Sequence, residues 1–412
     1  MIKWFYRLLR WSQKYTGTDN VYLARGGIWL TLGQVIALGA SFLLAIAFAN
    51  LLDPVTYGNY KYILSLLGML GIFSLIDMRT AVAQAVASGL EGSFYSGFIT
   101  QLKWGTLGSL AAACLAVYYW LQGNEILPIP LLISAVFLPL MQASQICGGF
   151  LMGKKLFGIW TKYNVVKQVI TAGAVAAALF LTKNIVWLAA AYLVSATSFN
   201  YFFYLFTKYK FKPNKKESPE TLNYGKHLSL MGVISFAAGY LDKILLFTLA
   251  GPAKLAVYSF AFMFPEQINN ILQNINTLAF PKLAQKSQEE IKANIMKKLW
   301  KLGLLAGIII IAYIIIAPYF YKIFFPQYLS AVPYSQALIF SLISLPTSLL
   351  GTAFQAKMMK KELYFLKFAT ASMRIILFLV LIPLYGIWGV VAAYLVTEIF
   401  SSAFSLFLFK KI

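Results

Sequence analysis

The stretch Leu51-Leu-Asp-Pro-Val-Thr-Tyr-Gly-Asn-Tyr-Lys-Tyr62 separates one long apolar run from the next. A second version, Leu249-Ala-Gly-Pro-Ala-Lys-Leu-Ala-Val-Tyr-Ser-Phe260, follows 198 positions later. In register, Pro54 falls on Pro252, Gly58 on Ala256, Tyr60 on Tyr258 and Tyr62 on Phe260. The chain therefore reads as two related halves, each carrying this corner between its first and second helices. Internal repeats of this kind mark membrane transporters.

Composition agrees. Hydrophobic residues make up 60% of the 412-residue chain and charged residues only 12%, far below the share of a soluble domain. The apolar residues come in blocks of about twenty, the length of a bilayer-spanning helix. They lack the alternation of a barrel, so the spanning elements are helices. Twelve spans are expected: 26–50, 58–87, 98–121, 127–150, 157–182, 184–207, 226–250, 255–281, 299–324, 328–354, 362–384 and 386–409. The fold class is an all-α membrane protein of twelve transmembrane helices in two six-helix lobes. The lobes take 1–207 and 225–412, joined by a polar linker at 208–224.

Net charge is +22, and its distribution gives orientation. The N-terminus, the 4–5, 6–7, 8–9 and 10–11 connections and the C-terminus carry nearly all the lysine and arginine outside the spans. The opposite side carries Lys61, Lys183, Lys254 and Lys322. Both termini are thus expected on the cytoplasmic side, and nucleic acid is not an expected partner. Lys3, Arg7, Arg10 and Lys14 form one stripe of a basic, aromatic helix suited to the headgroup plane. A second surface helix is expected along 285–300. No cleavable signal peptide opens the chain. Outer loops are short, which argues against an enzyme with an extracytoplasmic active site.

No catalytic constellation is present: no phosphate-cradling glycine loop, no nucleophile set, and a single histidine, His227. Cys114 and Cys147 lie within apolar runs without metal-ligand spacing, so neither a metal nor another cofactor is expected. The chemistry lies in charges placed within spans, which by default mark a pathway or a paired contact. They are Asp77 and Arg79 in span 2, Lys167 in span 5, Asp242 and Lys243 in span 7, Glu266 in span 8, Arg374 in span 11 and Glu398 in span 12. Arg374, Lys167, Lys243 and Arg79 read as cations lining a water-filled cavity between lobes for an anionic head group. The competing reading pairs them with the four acids and locks the bundle. Asp77 and Arg79, two residues apart, reach one cavity only if the helix breaks. In span 8, Gln267, Asn270 and Asn274 form one amide stripe, suited to sugar hydroxyls or to neighbouring helices.

Longer stretches carry a family likeness. The run GGIWLTLGQVIALGASFLLAIAFANLLDPVTYGNYKY (26–62), with LLGMLGIFSLIDMRTAVAQ (66–84), resembles the opening of polysaccharide-biosynthesis flippases. GYLDKILLFTLAGPAKLAVYSFAF (239–262), with LAFPKLAQ (278–285), resembles their second lobe. These flippases belong to the multidrug/oligosaccharidyl-lipid/polysaccharide exporter superfamily. The resemblance implies a V-shaped cavity between two six-helix bundles that move undecaprenyl-diphosphate-linked oligosaccharide, such as an O-antigen unit, to the outer leaflet of the bacterial inner membrane by alternating access. It also implies working alongside glycosyltransferases, a polysaccharide polymerase and membrane lipid. Energy would come from the substrate's own gradient or from protons or sodium. Asp77, Asp242, Glu266 and Glu398 are the ion-coupling candidates. The alternative is a multidrug cation antiporter of the sister family, which would want an acidic cavity.

Overall fold

The computed structural model describes residues 20–285, 288–357 and 359–410. The basic stripe of Lys3, Arg7, Arg10 and Lys14 lies outside them. Among the described residues the regular structure is helical throughout, and a helix or broken helix lies on each of the twelve expected spans. Among the described residues nine helices are long and apolar enough to cross a membrane, ten if the bent pair Pro54–Ser74 and Met78–Ala87 counts as one. Asn20–Leu51 is a helix of 32 residues, apolar from Gly26 onward. Pro252–Gln285 carries Glu266 and a series of amides.

Contacts divide the chain into two units: 1–51 with 70–232, and 52–69 with 233–412. The expected boundary at the linker is therefore not where contacts divide the chain. Spans 2 and 7 each give one half to each unit. Glycines seat them. In the second unit, Gly58 lies so near the Pro252 carbonyl that a Cβ would sit 1.9 Å from its oxygen, and Gly68 packs on the Tyr240 ring. In the first unit, Gly225 packs on Met78 and Gly232 on the Asp77 carboxylate.

The opening repeat is a pair of helix starts. Asp53 caps the helix Pro54–Leu70, accepting from the Thr56 N–H at 2.9 Å, and Pro54 takes the first helical position. Burial pushes the Asp53 carboxyl up, but its backbone donors outweigh this and hold it below the usual range. In the second copy, Gly251 ends span 7 at φ +86° and Pro252 begins span 8. The prolines thus start the second helices rather than end the first. Tyr60, Tyr62, Tyr258 and Phe260 are all buried, so the repeat's aromatic register is core. Tyr62 stacks on Phe247 at 3.7 Å, and Tyr57 meets Phe260 at 4.9 Å.

Two spans of the first unit are broken. Span 2 turns by 50° where Leu75 adopts φ +51°, between the 3-10 turn Gly71–Ser74 and the helix Met78–Ala87. A break in hydrocarbon strands backbone carbonyls that water would otherwise satisfy. Gln101 supplies the donor: its buried Nε2 donates to both the Ser74 and Leu75 carbonyls at 3.0 Å. Span 4 breaks between Pro128–Ala143, which contains Pro139, and Ile146–Gly153. There Asn200 Nδ2 donates to the Met141 carbonyl at 3.0 Å. Gly149 and Gly153 let the second piece approach the carbonyls of Arg79 and Ala83.

Span 9 corrects one expectation. The segment expected at 285–300 forms no separate helix; Gln288–Phe324 is one helix of 37 residues. At 1.5 Å per residue it runs about 55 Å, well beyond the ~30 Å hydrocarbon core. Its extension is held because Ile295 and Leu299 are buried against Leu349, Leu350 and Phe354.

The linker is strapped to the first unit. Asn214 donates from its N–H to Glu91 Oε2 and from Nδ2 to the Gly89 carbonyl, both at 3.0 Å. The Gly92 N–H donates to the Lys216 carbonyl at 2.8 Å, and Lys154 pairs with Glu91. Burial raises the Glu91 carboxyl, but Lys154 and the Asn214 N–H outweigh it and leave it below its ordinary 4.5. A depressed carboxyl contributes stability above its unfolded pKa, and loses it as pH falls through the folded value.

Gln101→Leu leaves two carbonyls without a donor, and buried orphans cost about 1–3 kcal/mol each; the melting temperature in detergent falls, and with Gln101→Met, which keeps the length but not the donor, it falls as far. Glu91→Gln frees the linker, so protease cuts 208–218 faster than in the parent at neutral pH. Acidification below the folded pKa of Glu91 brings the parent to the variant's rate.

Candidate functional site

The second unit holds one charged cluster. Lys61 lies two turns into the helix Pro54–Leu70, half-buried, with its Nζ 5.4 Å from the centre of the Tyr57 ring. It was expected among outer-loop cations. Instead it faces Lys243 and Glu266 within electrostatic range. Lys243 sits over the rings of Tyr240 and Phe262, at 5.7 and 5.8 Å. Glu266 faces both lysines and is the solvent-accessible member. No direct ion pair joins the three among the described residues. Two ammonium groups thus face one accessible carboxylate over aromatic rings, with buried Asp242 also in electrostatic range of Glu266.

Beside it runs a closed network. Asp242 is fully buried, and its Oδ2 accepts from Tyr258 Oη at 2.5 Å and from Tyr394 Oη at 3.3 Å. Its Oδ1 is buried with no hydrogen-bond partner. Arg374 lies over the Tyr394 ring at 4.8 Å and donates from Nη2 to Glu398 Oε1 at 2.9 Å. Tyr394 and Glu398 are i and i+4 on one helix, so span 12 presents ring and carboxylate together to the guanidinium. Arg374 and Glu398 therefore sit in a structural pair across spans 11 and 12, the locking alternative of the sequence reading. Adjacent on span 7, Asp242 points into this network while Lys243 joins the open cluster.

The first unit holds a second cation pair. Arg79 and Lys167 act on each other electrostatically, with the buried Cys147 thiol in range of both. Both are half-buried, and neither has an ion-pair partner among the described residues. Arg79 reaches this place because span 2 breaks just before it. Asp77 sits at the head of the new helix, its N–H donating to Ser229 Oγ at 3.1 Å.

The amides divide differently from the expected stripe. Gln273 donates to Asn269 at 3.3 Å, and Asn276 donates to Gln273 at 2.6 Å and to Ser348 at 2.8 Å. That ladder ties span 8 to span 10. Gln267 is half-buried and Asn270 exposed, outside the ladder; the side chain of Asn274 lies outside the described residues. Among the described residues no group of acids, histidines and cysteines is arranged to hold a metal ion.

Lys61, Tyr258, Tyr394 and Gln101 were missed as site or support residues. The signal for Tyr258 was present, since the repeat places it opposite Tyr60. Lys61 could have been found from its place one residue past the same corner tyrosine.

These features define a multi-pass helical membrane protein with cations paired like-to-like inside its spans. The chain belongs to the polysaccharide biosynthesis protein family, whose model matches residues 23–287. No curated protein matches it. Among solved structures it has the fold of multidrug resistance MATE transporters of the MOP superfamily. An outward-facing one matches with a TM-score of 0.66 at 13% identity, over 94% of each chain. An inward-facing one matches at 0.65 and 13%, over 92% of this chain and 98% of that one. A MOP-superfamily transporter from Pyrococcus furiosus, described as having a binding pocket of reverse polarity that suggests a different function, matches at 0.62 and 15%, over 93% and 95%.

Arg374→Ala strands Glu398 and opens the ring face of Tyr394; breaking one side of such a pair costs about 3–5 kcal/mol where it is well buried and less here, at roughly a quarter exposure. Membrane abundance and melting temperature fall, and Arg374→Ala/Glu398→Ala recovers part of the loss in a double-mutant cycle. If the double variant is no better than the single, the pair is not what the arginine serves.

Proposed function

We propose that the chain translocates an undecaprenyl-diphosphate-linked oligosaccharide from the cytoplasmic to the outer leaflet of the bacterial inner membrane. The cargo would serve O-antigen or a related surface polysaccharide, and the chain would lie with both termini cytoplasmic. The observation that carries this reading is the like-charge pairing inside the spans: Lys61 with Lys243, and Arg79 with Lys167. Two cations within electrostatic range in a poorly solvated medium repel and are costly to keep. An anion between them reverses the sign of that interaction. A diphosphate offers two adjacent negative groups and several acceptor oxygens, and arginine and lysine are the side chains that bind it. The sugars and diphosphate need a polar route because hydrocarbon excludes them, while the polyprenyl tail stays in lipid.

The family supports a role in making polysaccharide. Alternating access is the mechanism we assign, and glycosyltransferases and a polymerase are the partners that would supply and consume the cargo. For ion coupling, Glu266 is the strongest of the four acids. It is accessible and it faces Lys61 and Lys243, so its charge sets how strongly that pair attracts an anion. Asp242 and Glu398 are engaged with tyrosine and arginine partners, and Asp77 sits at the span 2 break. The multidrug cation antiporter reading draws on the fold, but a cation would meet lysine at both pairs.

In a flippase-deficient strain restored by this chain, Lys61→Ala/Lys243→Ala and Lys167→Ala each lower surface polysaccharide by about tenfold or more at unchanged protein level, a loss equal to one charge-assisted contact. Glu266→Gln changes the pH dependence of export rather than abolishing it. Full export by both lysine variants, or failure to restore the strain together with efflux of cationic dyes, overturns the proposal.

A further inference from the structure

The second unit carries a groove of about 640 Å³ that the proposed cargo route does not use. One wall is span 9, with Trp300, Leu304, Ile308 and Ile311; the facing wall includes Pro346 and Leu406. The floor is set back because residues 303 and 307 are glycine. A Cβ at Gly307 would meet nothing within 4 Å, and one at Gly303 only the Pro346 ring, at 3.8 Å. The one hydroxyl in the lining, Thr347, is already committed, donating to the Ser344 carbonyl and hydrogen-bonded to the Ser402 hydroxyl, at 2.9 Å each. The groove therefore offers almost entirely hydrocarbon surface.

Its dimensions select the occupant. From Met296 to Ile311 is fifteen residues, about 22 Å along the helix. That is roughly half of a bilayer's full thickness of about 40–45 Å, one leaflet with its headgroup layer. A hydrocarbon chain can lie along it, with its carbons about 3.5–4.0 Å from those of the apolar wall. A polyprenyl tail, branched and much longer, outruns the slot.

The end of the groove is chemically distinct. At about 100° per residue, Lys297 and Lys301 share the flank of span 9 that carries Leu304 and Ile308. Both lysines are exposed, as is Trp300 between them. An aromatic ring at the mouth of an apolar slot, beside two cations, is the pattern of a membrane interface with an anionic lipid.

We infer that this groove is a binding site for one acyl chain of an anionic phospholipid, with its phosphate held by Lys297 and Lys301. Filling the slot ties spans 9, 10 and 12 together, where span 9 otherwise exposes most of its length to lipid. The inference is independent of the cargo and survives if the flippase reading fails.

The test uses full-length protein in vesicles of equal parts phosphatidylethanolamine and phosphatidylglycerol, the latter carrying a photoreactive group on its acyl chain. Illumination is expected to label peptides within 296–311, and Gly303→Leu/Gly307→Leu, which the open floor accepts without a clash, cuts that label by about tenfold. Lys297→Gln/Lys301→Gln keeps the label but removes the preference for phosphatidylglycerol over phosphatidylcholine. Label spread evenly over other exposed helices, or unchanged in the glycine variant, overturns the site. Displacement by a polyprenyl phosphate at lower concentration than by phosphatidylglycerol overturns the phospholipid assignment.

Discussion

A backbone carbonyl in hydrocarbon has no water to turn to, and most of what is particular to this chain follows from that constraint. Unbroken helices satisfy it by themselves. Spans 2 and 4 do not, so each break carries its own donor: Gln101 for Ser74 and Leu75, and Asn200 for Met141. These amides come from spans 3 and 6, so the breaks are fixed by tertiary packing rather than by local sequence. The left-handed Leu75 costs about 1–2 kcal/mol, which the doubled hydrogen bond offsets. The consequence is positional: Arg79, behind the break, is aimed independently of the residues before it and meets Lys167.

The charges obey the same logic in a different currency. In this medium an ionised group must be paired, bonded or matched to a ligand. Arg374 and Glu398 form an ion pair, and Asp242 Oδ2 is met by two tyrosine hydroxyls, while Arg374 Nε and Asp242 Oδ1 stay buried with no hydrogen-bond partner among the described residues. Lys61, Lys243, Arg79 and Lys167 are not satisfied in this way. Their neighbours are each other, aromatic rings and one accessible carboxylate. Stability alone gives no reason to assemble like charges, whereas an anionic cargo does. The equal count of acids and cations in the sequence concealed this, because two of the acids are spent on partners that leave the lysines free.

The helices on the twelve expected spans and the two-copy corner were legible because hydropathy and helix-start chemistry are local, though the helices of spans 7 and 9 start earlier than expected, at Pro219 and Gln288. Asp53, Pro54, Gly251 and Pro252 announce their roles within four residues. The break in span 2 was legible only as a condition, namely that Asp77 and Arg79 could not otherwise share a side. Its cause, a glutamine 26 residues away in sequence from Leu75, has no local signature. Lys61 was misplaced for a related reason. Span limits drawn from hydropathy put a lysine near a helix start at the water boundary, while the packing of Tyr57, Tyr60 and Tyr62 carries that turn into the core.

Aromatic residues link these levels. Tyr60, Tyr62, Tyr258 and Phe260, the register that first divided the chain into halves, are all buried. Within that register the second copy bonds a carboxylate directly, through Tyr258 and Asp242. The two halves thus share a scaffold and differ in what it holds: a hydroxyl in the second copy organises an acid, and the lysine beside Tyr60 in the first supplies a cation. At position 259, where the first copy has Lys61, the second has a buried serine, Ser259. The corner thus places a lysine beside its buried tyrosine in the first copy only, and it is Lys61, with Lys243, that faces the accessible Glu266.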